Sequence, residues 1–221
     1  MLSLIPLTLL LVEYHNSTLG FDPLDRITRL TGHSALVFLL LSLTISPLRH
    51  GLTWSSIYIK AHYGKRLSDW NWIIKLRRMI GMFSFFYATL HLITYLWMDQ
   101  GMNYKRIISD IYERRFILAG MVAFILLIPV SITSTDKMMR LLGRNWRRIH
   151  RLVYLIAILV ALHYWMLTKV GVYAPYPYVV VTFLLLGWRV WFFWEKLPNK
   201  IQDDGMEATL RHTKSADKLP Q

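Results

Sequence analysis

Two long apolar segments each carry a histidine well inside them, and this combination limits the folds open to the chain. The segments are residues 79–98, MIGMFSFFYATLHLITYLWM, and residues 149–167, IHRLVYLIAILVALHYWML. A membrane-spanning helix needs about 20 mostly apolar residues, so each segment is long enough to cross a bilayer. An imidazole in hydrocarbon is costly, and ionisable side chains at such positions usually serve a function.

The remaining sequence is also apolar, because hydrophobic residues make up 54% of the 221 residues. A soluble domain of this size is rarely so apolar. We therefore predict an all-α integral membrane protein, a helical bundle of about six transmembrane helices. The predicted spans lie at about residues 2–12, 33–48, 79–98, 116–132, 149–167 and 178–194. The first run is short for a span, and the bundle has five helices if it does not cross.

The predicted domains are a transmembrane domain at residues 1–195 and a charged cytoplasmic tail at residues 196–221. This leaves no room for a soluble nucleotide-binding domain, so any redox or transport role must draw its other components from partner proteins. The absence of cysteine excludes disulfides, thiolate metal sites, thiol catalysis and covalent c-type haem attachment. The net charge of +13 is typical of loops beside anionic membrane lipids, and we expect no nucleic-acid partner.

Lysine and arginine are distributed unequally between alternate connecting segments. Segments 49–78 and 133–151 and the tail carry 18, whereas segments 15–32, 99–115 and 168–177 carry 7. The positive-inside rule places the first set in the cytoplasm, so six spans put both termini there. The third and fifth spans then both run outward. Within these segments we expect a turn at Asp22–Pro23, an end to the second span at Pro47, and a basic amphipathic helix at residues 134–148 that begins at Ser134 or Thr135.

His91 and His163 are predicted to lie at the same depth. They follow Met79 and Ile149 by 12 and 14 residues, which is about 18–21 Å along a helix. Two neutral imidazoles at one level on neighbouring helices can ligate one iron, and haem suits an apolar site. Spacing alone leaves two alternatives open: each ring is satisfied by a neighbouring Ser, Thr or backbone group, or the pair belongs to a proton or ion path.

His150 begins the fifth predicted span, about 20 Å from His163 along an ideal helix. Arg147, Arg148 and Arg151 flank it. One interpretation is an incidental histidine within a cytoplasmic cationic cluster. The other is a second haem site, in which the arginines bind the propionates, because guanidinium groups bind carboxylates in bidentate fashion.

Three stretches carry a family resemblance. They are TGHSALVFLLLSLTISPLR at 31–49, RRMIGMFSFFYATLHLITYL at 77–96 and SITSTDKMMRLLGRNWRRIHRLVYLIAILVALHYWML at 131–167. These stretches resemble the MsrQ (YedZ) family, the haem-binding membrane subunits of the bacterial protein-methionine-sulfoxide reductase system, within the ferric-reductase-like transmembrane superfamily. The resemblance implies haem ligation at His91, His150 and His163. In the oxidase relatives the third span has a second histidine nearer the cytoplasm, where this chain has Arg77 and Arg78.

The resemblance implies an electron-transfer subunit of the bacterial inner membrane, with b-type haem and no catalytic residues of its own. The implied acceptor is a periplasmic molybdopterin reductase that repairs methionine sulfoxide in envelope proteins. The implied donor is the quinone pool or a cytosolic flavin reductase, and some family members are described as binding FMN. The alternatives are a related haem quinol or ferric reductase, a haem-free transporter with a histidine proton path, and a structural membrane anchor.

Overall fold

The fold is known from a computed structural model, which describes residues 2–16, 18, 20–60, 62–167 and 175–195. In these residues the chain forms helices and turns, without β-strands. The α-helices are α1 (Ile5–His15), α2 (Pro23–Tyr58), α3 (Asn71–Ile93), α4 (Tyr104–Glu113), α5 (Arg115–Ile132), α6 (Asp136–Leu142), α7 (Arg144–His150), α8 (Leu152–Leu167) and α9 (Tyr176–Glu195). Short 3₁₀ turns at Leu2–Leu4 and Leu67–Trp70 precede α1 and α3.

Five helical segments within the described residues are long and apolar enough to span a membrane: Pro23–Tyr58, Leu67–Asp99, Arg115–Ile132, Arg144–Leu167 and Tyr176–Glu195. The all-α membrane class is thereby confirmed. The N-terminal apolar run forms α1, which has only 11 residues. The described residues therefore contain the five-span form of the predicted bundle, with α1 as an additional short apolar helix.

Helix α2 is longer than the sequence pattern predicted. The expected turn at Asp22–Pro23 is the helix start, because the Asp22 side chain accepts a hydrogen bond from the Asp25 N–H and Pro23 occupies the first turn. The expected end at Pro47 is wrong, because the helix continues to Tyr58. Proline removes one backbone hydrogen bond, and the packing of α2 along α3 compensates for that loss. With 36 residues, α2 is about 54 Å long and exceeds the hydrocarbon thickness.

Two helix pairs form the core of the bundle: α2 packs along α3, and α5 packs along α8. The first pair buries leucines of α2 and Tyr87 of α3, Tyr87 stacks on Phe38 of α2, and the Ser84 hydroxyl donates to the Ala35 carbonyl over 2.9 Å. The second pair buries Ala157 and Ala161 of α8. Small residues let membrane helices approach closely. The two pairs meet mainly through α3 and α5.

Three connecting segments differ from the expected loops. The segment after α3 continues as a π-helix, Thr94–Asp99, in which helical hydrogen bonding reaches five residues back, as from the Gln100 N–H to the Tyr95 carbonyl. The segment 99–115 contains α4, which was not predicted. The predicted helix at 134–148 is two helices, α6 and α7, because Gly143 adopts a φ of +49° between them. The Thr135 hydroxyl accepts from the Met138 N–H, so the predicted cap of α6 is confirmed.

By contact density the chain divides into two units, Met1–Thr182 and Phe183–Gln221. The description of the second unit covers residues 183–195, the later part of α9, in which Trp188 stacks on Phe192. Most of its large apolar side chains are exposed, as expected for a helix that faces lipid. The predicted tail 196–221 and residues 168–174 lie outside the described residues.

Candidate functional site: two opposed histidines

His91 and His163 lie on different helix pairs, and each is bonded within its own pair. The Nδ1 atom of His91, on α3, lies 2.9 Å from the Thr28 carbonyl oxygen on α2. The Nδ1 atom of His163, on α8, lies 2.7 Å from the Phe116 carbonyl oxygen on α5. A carbonyl oxygen only accepts, so in both histidines Nδ1 carries the hydrogen and donates it. The lone pair of each Nε2 is then available to a ligand.

The two rings face each other across the boundary between the pairs. Their centres are 6.3 Å apart, and the ring planes are nearly perpendicular, at 82°. A metal–imidazole bond is about 2.0–2.1 Å, so two imidazoles on opposite sides of one metal have ring centres roughly 6–6.5 Å apart. Both side chains are largely but not completely buried. The predicted meeting of these histidines agrees with this geometry.

The site resembles a haem site more than a site for a bare metal ion. Within the described residues there is no group of three or more His, Cys, Asp or Glu side chains that could hold a metal ion. A haem macrocycle supplies four nitrogen ligands itself and needs only the two axial positions from the protein. Two opposed, neutral imidazoles are such a donor set, so the residues present fit a haem.

One alternative was that a neighbouring Ser, Thr or backbone group satisfies each histidine. A backbone group does so, but only for one nitrogen of each ring. Thr89 and Thr94 are the threonines nearest to His91 in the sequence, but their hydroxyls bond to the carbonyls of Phe85 and Leu90 in their own helix. The backbone of the paired helix satisfies Nδ1 of each ring instead. The backbone contact at Nδ1 is enough to satisfy each histidine as a structural residue. It does not explain why the two rings lie opposite each other.

His150 lies at the end of α7, and Arg151 separates it from α8. Its ring packs on Trp146 with centres 4.0 Å apart, and its Nε2 lies 3.4 Å from the Ser134 hydroxyl. Its Nδ1 is buried without a hydrogen-bond partner among the described residues. Arg77 is close enough to interact with it electrostatically. The structure therefore brings His150 near both Arg77 and the Trp146 backbone, without a well-formed hydrogen bond to Nδ1.

The other predicted arginines are not directed at His150. Arg78 forms an ion pair with Asp136, and this guanidinium holds the pKa of the Asp136 carboxyl below its usual value. Arg147, Arg148 and Arg151 are exposed. Their exposure does not distinguish the cationic-cluster interpretation from the second-haem interpretation.

Two polar contacts near the site had no signal in the sequence. His33 shares a hydrogen bond of 2.8 Å with the Tyr178 hydroxyl of α9. Asp110, on α4, accepts a hydrogen bond of 2.8 Å from the Gln100 side chain. The His33 partner is 145 residues away in the chain, and the Asp110 partner became adjacent only through the unpredicted helix α4.

Comparisons with known proteins agree with this geometry. Residues 31–161 match the family model described as ferric reductase like transmembrane component, a range that includes His91 and His150 and ends two residues before His163. A protein of Herminiimonas arsenicoxydans, named protein-methionine-sulfoxide reductase heme-binding subunit MsrQ, is 44% identical over 80% of this chain and 76% of its own length. The chain belongs to the MsrQ family. Relatives with the same name occur in Ralstonia nicotianae, at 39% identity over 88% of this chain and 83% of the relative, and in Azospira oryzae, at 41% over 79% and 69%.

No solved structure matches this MsrQ family member. Its fold and site are therefore argued from its own geometry. The family match confirms a multi-pass membrane protein of the ferric-reductase-like type, as the three resembling stretches predicted.

Proposed function

We propose that this chain is a b-type haem electron-transfer subunit of a membrane oxidoreductase, with His91 and His163 as the axial haem ligands. The observation that carries the proposal is the pair of opposed imidazoles, 6.3 Å apart, each with Nδ1 bonded to a backbone carbonyl. The names of the relatives, which describe heme-binding subunits, support the choice of cofactor.

The residues of the site determine which chemistry is available. Bound haem iron would supply one-electron oxidation and reduction. His91 and His163 would together hold the haem through their Nε2 atoms, and neither ring would then be free to act on a substrate. The apolar residues of the two helix pairs would surround the group and limit its contact with water. The chain is therefore a carrier of single electrons, and substrate chemistry belongs to its partner.

The proposed partners follow from the family resemblance and from the depth of the site. His163 is close to the end of α8, and the surface helix α4 and the N-terminal turns of α5 are at the same end of the bundle as Phe116. We assign this end to the periplasmic side of the inner membrane, where a molybdopterin methionine-sulfoxide reductase would accept electrons. The quinone pool or a cytosolic flavin reductase would be the donor, and the cationic segments would face the cytoplasm.

The proposal also includes a second haem site at His150. Its support is the buried Nδ1 of His150, which has no well-formed hydrogen bond among the described residues, and Arg77, which is near enough to interact with the ring electrostatically. Two haems per chain are then expected, and His150→Ala should retain one. A wild-type protein with one haem per chain would contradict the second site. FMN is predicted by the resemblance alone, and flavin extraction from purified protein tests it.

The test of the main proposal is spectroscopic. Protein purified in detergent should show a Soret band and, after reduction, a b-type α-band. His91→Ala and His163→Ala should each abolish the absorption of the haem held by these two histidines. His62→Ala, which changes an exposed histidine, should not. A monodisperse wild-type protein without haem would refute the proposal.

Reduction of the purified haem by quinol, or by a flavin reductase with NADH, identifies the donor. Electron transfer to the periplasmic reductase rather than to ferric iron separates this function from that of a ferric reductase.

A further inference from the structure

Two glycines lie directly against the two opposed histidines. A Cβ atom on Gly32, in α2, would be 2.9 Å from both Cε1 and Nδ1 of His91. A Cβ atom on Gly120, in α5, would be 2.8 Å from Nδ1 and 3.0 Å from Cε1 of His163. These distances are shorter than side chains tolerate, so any other residue at either position would displace the ring.

Each glycine stands in the same relation to the carbonyl that its histidine uses. The acceptor carbonyls belong to Thr28 and Phe116, and each lies four residues before the corresponding glycine. In an α-helix the N–H of a residue bonds the carbonyl four residues earlier, and its side chain points back over that turn. A side chain at the glycine position would therefore cover the carbonyl. Glycine leaves the second lone pair of that oxygen open to a ring from the neighbouring helix.

The arrangement occurs twice, once in each helix pair, although the sequences of the pairs differ. Glycine inside a helix costs about 1 kcal/mol relative to alanine, so two such positions beside the two rings need a reason. Gly81, in α3, has no atom within 4 Å of its built Cβ. Close approach of an imidazole is thus a property of Gly32 and Gly120 and not of the helical glycines in general.

We infer that Gly32 and Gly120 are positioning residues for the haem ligands, an inference that rests on the proposed function. They let each imidazole donate its Nδ1–H to a helix carbonyl, which selects the tautomer with a free Nε2 lone pair and holds the ring plane. A hydrogen bond from the second nitrogen of a ligating histidine raises the basicity of the ligand. The two glycines therefore set the strength of both axial bonds and the angle of 82° between the rings.

The first experiment compares Gly32→Ala and Gly120→Ala with the matched control Gly81→Ala in the purified, haem-loaded protein. We expect the first two to raise the haem midpoint potential, because a less basic ligand stabilises ferric iron less. We also expect a changed low-spin ferric electron paramagnetic resonance spectrum, which depends on the angle between the axial rings. Haem retention should fall about 10–100-fold, as for other groups that orient metal ligands. Gly81→Ala should keep the wild-type potential, spectrum and haem content.

A second measurement avoids the risk that the alanine variants do not fold. In His91→Gly and His163→Gly, free imidazole should restore the low-spin spectrum at about tenfold lower concentration than 1-methylimidazole, which lacks the N–H for the carbonyl. Equal rescue by the two ligands, or a wild-type potential and spectrum in both Gly32→Ala and Gly120→Ala, would overturn the inference. A wild-type protein without haem would refute the proposed function instead, so the two failures are distinguishable.

Discussion

Asp110 provides the sharpest test of how the surface helix α4 is held over the end of the bundle that contains the histidines. Most residues of α4 are exposed, but the Asp110 side chain is only 14% exposed. It accepts a hydrogen bond of 2.8 Å from Gln100 and one of 3.3 Å from the Tyr95 hydroxyl, and it lies 3.5 Å from Arg114. Gln100 and Tyr95 belong to the π-helical segment and its C-terminal cap, just after His91. Asp110 therefore connects α4 to the helix that carries one of the proposed ligands.

The magnitude follows from these contacts. A hydrogen bond to a charged group contributes about 1.5–3 kcal/mol, whereas the pair with Arg114, the C-terminal cap of α4 itself, does not hold α4 to the rest of the bundle. The long Tyr95 bond adds little. Asp110→Ala should thus destabilise the docking of α4 by about 2–3 kcal/mol, which raises its local opening roughly 30- to 150-fold. Asp110→Asn keeps one acceptor oxygen and should lie between this variant and the wild type.

Amide hydrogen exchange of residues 104–113 in lipid nanodiscs measures this opening. The control is Glu113→Ala, because Glu113 is exposed and bonds only to Ser109 of the same helix among the contacts described. The control should change exchange less than about twofold, as expected for an exposed side-chain contact within one helix. If Asp110→Ala exchanges as slowly as the control, the buried carboxylate does not hold α4, and the reasoning from its contacts is refuted.

Two further predictions concern the N-terminal helix and the cytoplasmic ion pair. The Tyr87 hydroxyl donates to the Ser3 carbonyl over 2.8 Å. Loss of this hydrogen bond in Tyr87→Phe should speed amide exchange in α1 about 2–12-fold and leave the haem spectrum unchanged. Unaltered exchange in α1 would contradict this prediction. Arg78 lowers the pKa of Asp136 below 3.8, so this pair stabilises the fold above about pH 4 and loses its effect as pH falls through the lower, folded-state pKa. Thermal unfolding between pH 2.5 and 6 should show a smaller acid-induced decrease in Asp136→Asn, and identical pH profiles would exclude the ion pair as a contributor.

The depth of the histidines could be predicted from the sequence because it depends only on counting residues along helices. The rise per residue is fixed, so positions 12 and 14 residues into two parallel spans had to lie at similar levels. The tautomer of each histidine could not be predicted. The bonding partners of His91 and His163 are backbone carbonyls 63 and 47 residues away, and every residue of the chain has such a carbonyl. Only the packing of α2 on α3 and of α5 on α8 selects Thr28 and Phe116.

Helix boundaries were predicted less well, for identifiable physical reasons. The Asp22–Pro23 pair is typical both of a turn and of a helix start. The structure shows the helix start, because a long helix follows directly. Pro47 ends an isolated helix, but a neighbouring helix packed along α2 offsets the missing hydrogen bond. Helix α4 is amphipathic and contains few strongly apolar residues, so a search for transmembrane segments does not find it. Asp110 became a candidate structural residue only after α4 was seen.

The construction of the site from two self-contained halves explains how imidazoles persist inside the membrane without a shared polar network. Each helix pair satisfies the Nδ1–H of its own histidine, so neither ring depends on the other pair for its orientation. The Nε2 lone pairs are what remain, on two rings that lie 6.3 Å apart across the boundary where the two pairs meet. A cofactor bound there would join the pairs, and its binding free energy would add to the stability of their association. Because the rings are already oriented before the cofactor arrives, little of that free energy is spent on ordering them. The same two backbone contacts that make each histidine tolerable in hydrocarbon therefore also prepare it as a ligand.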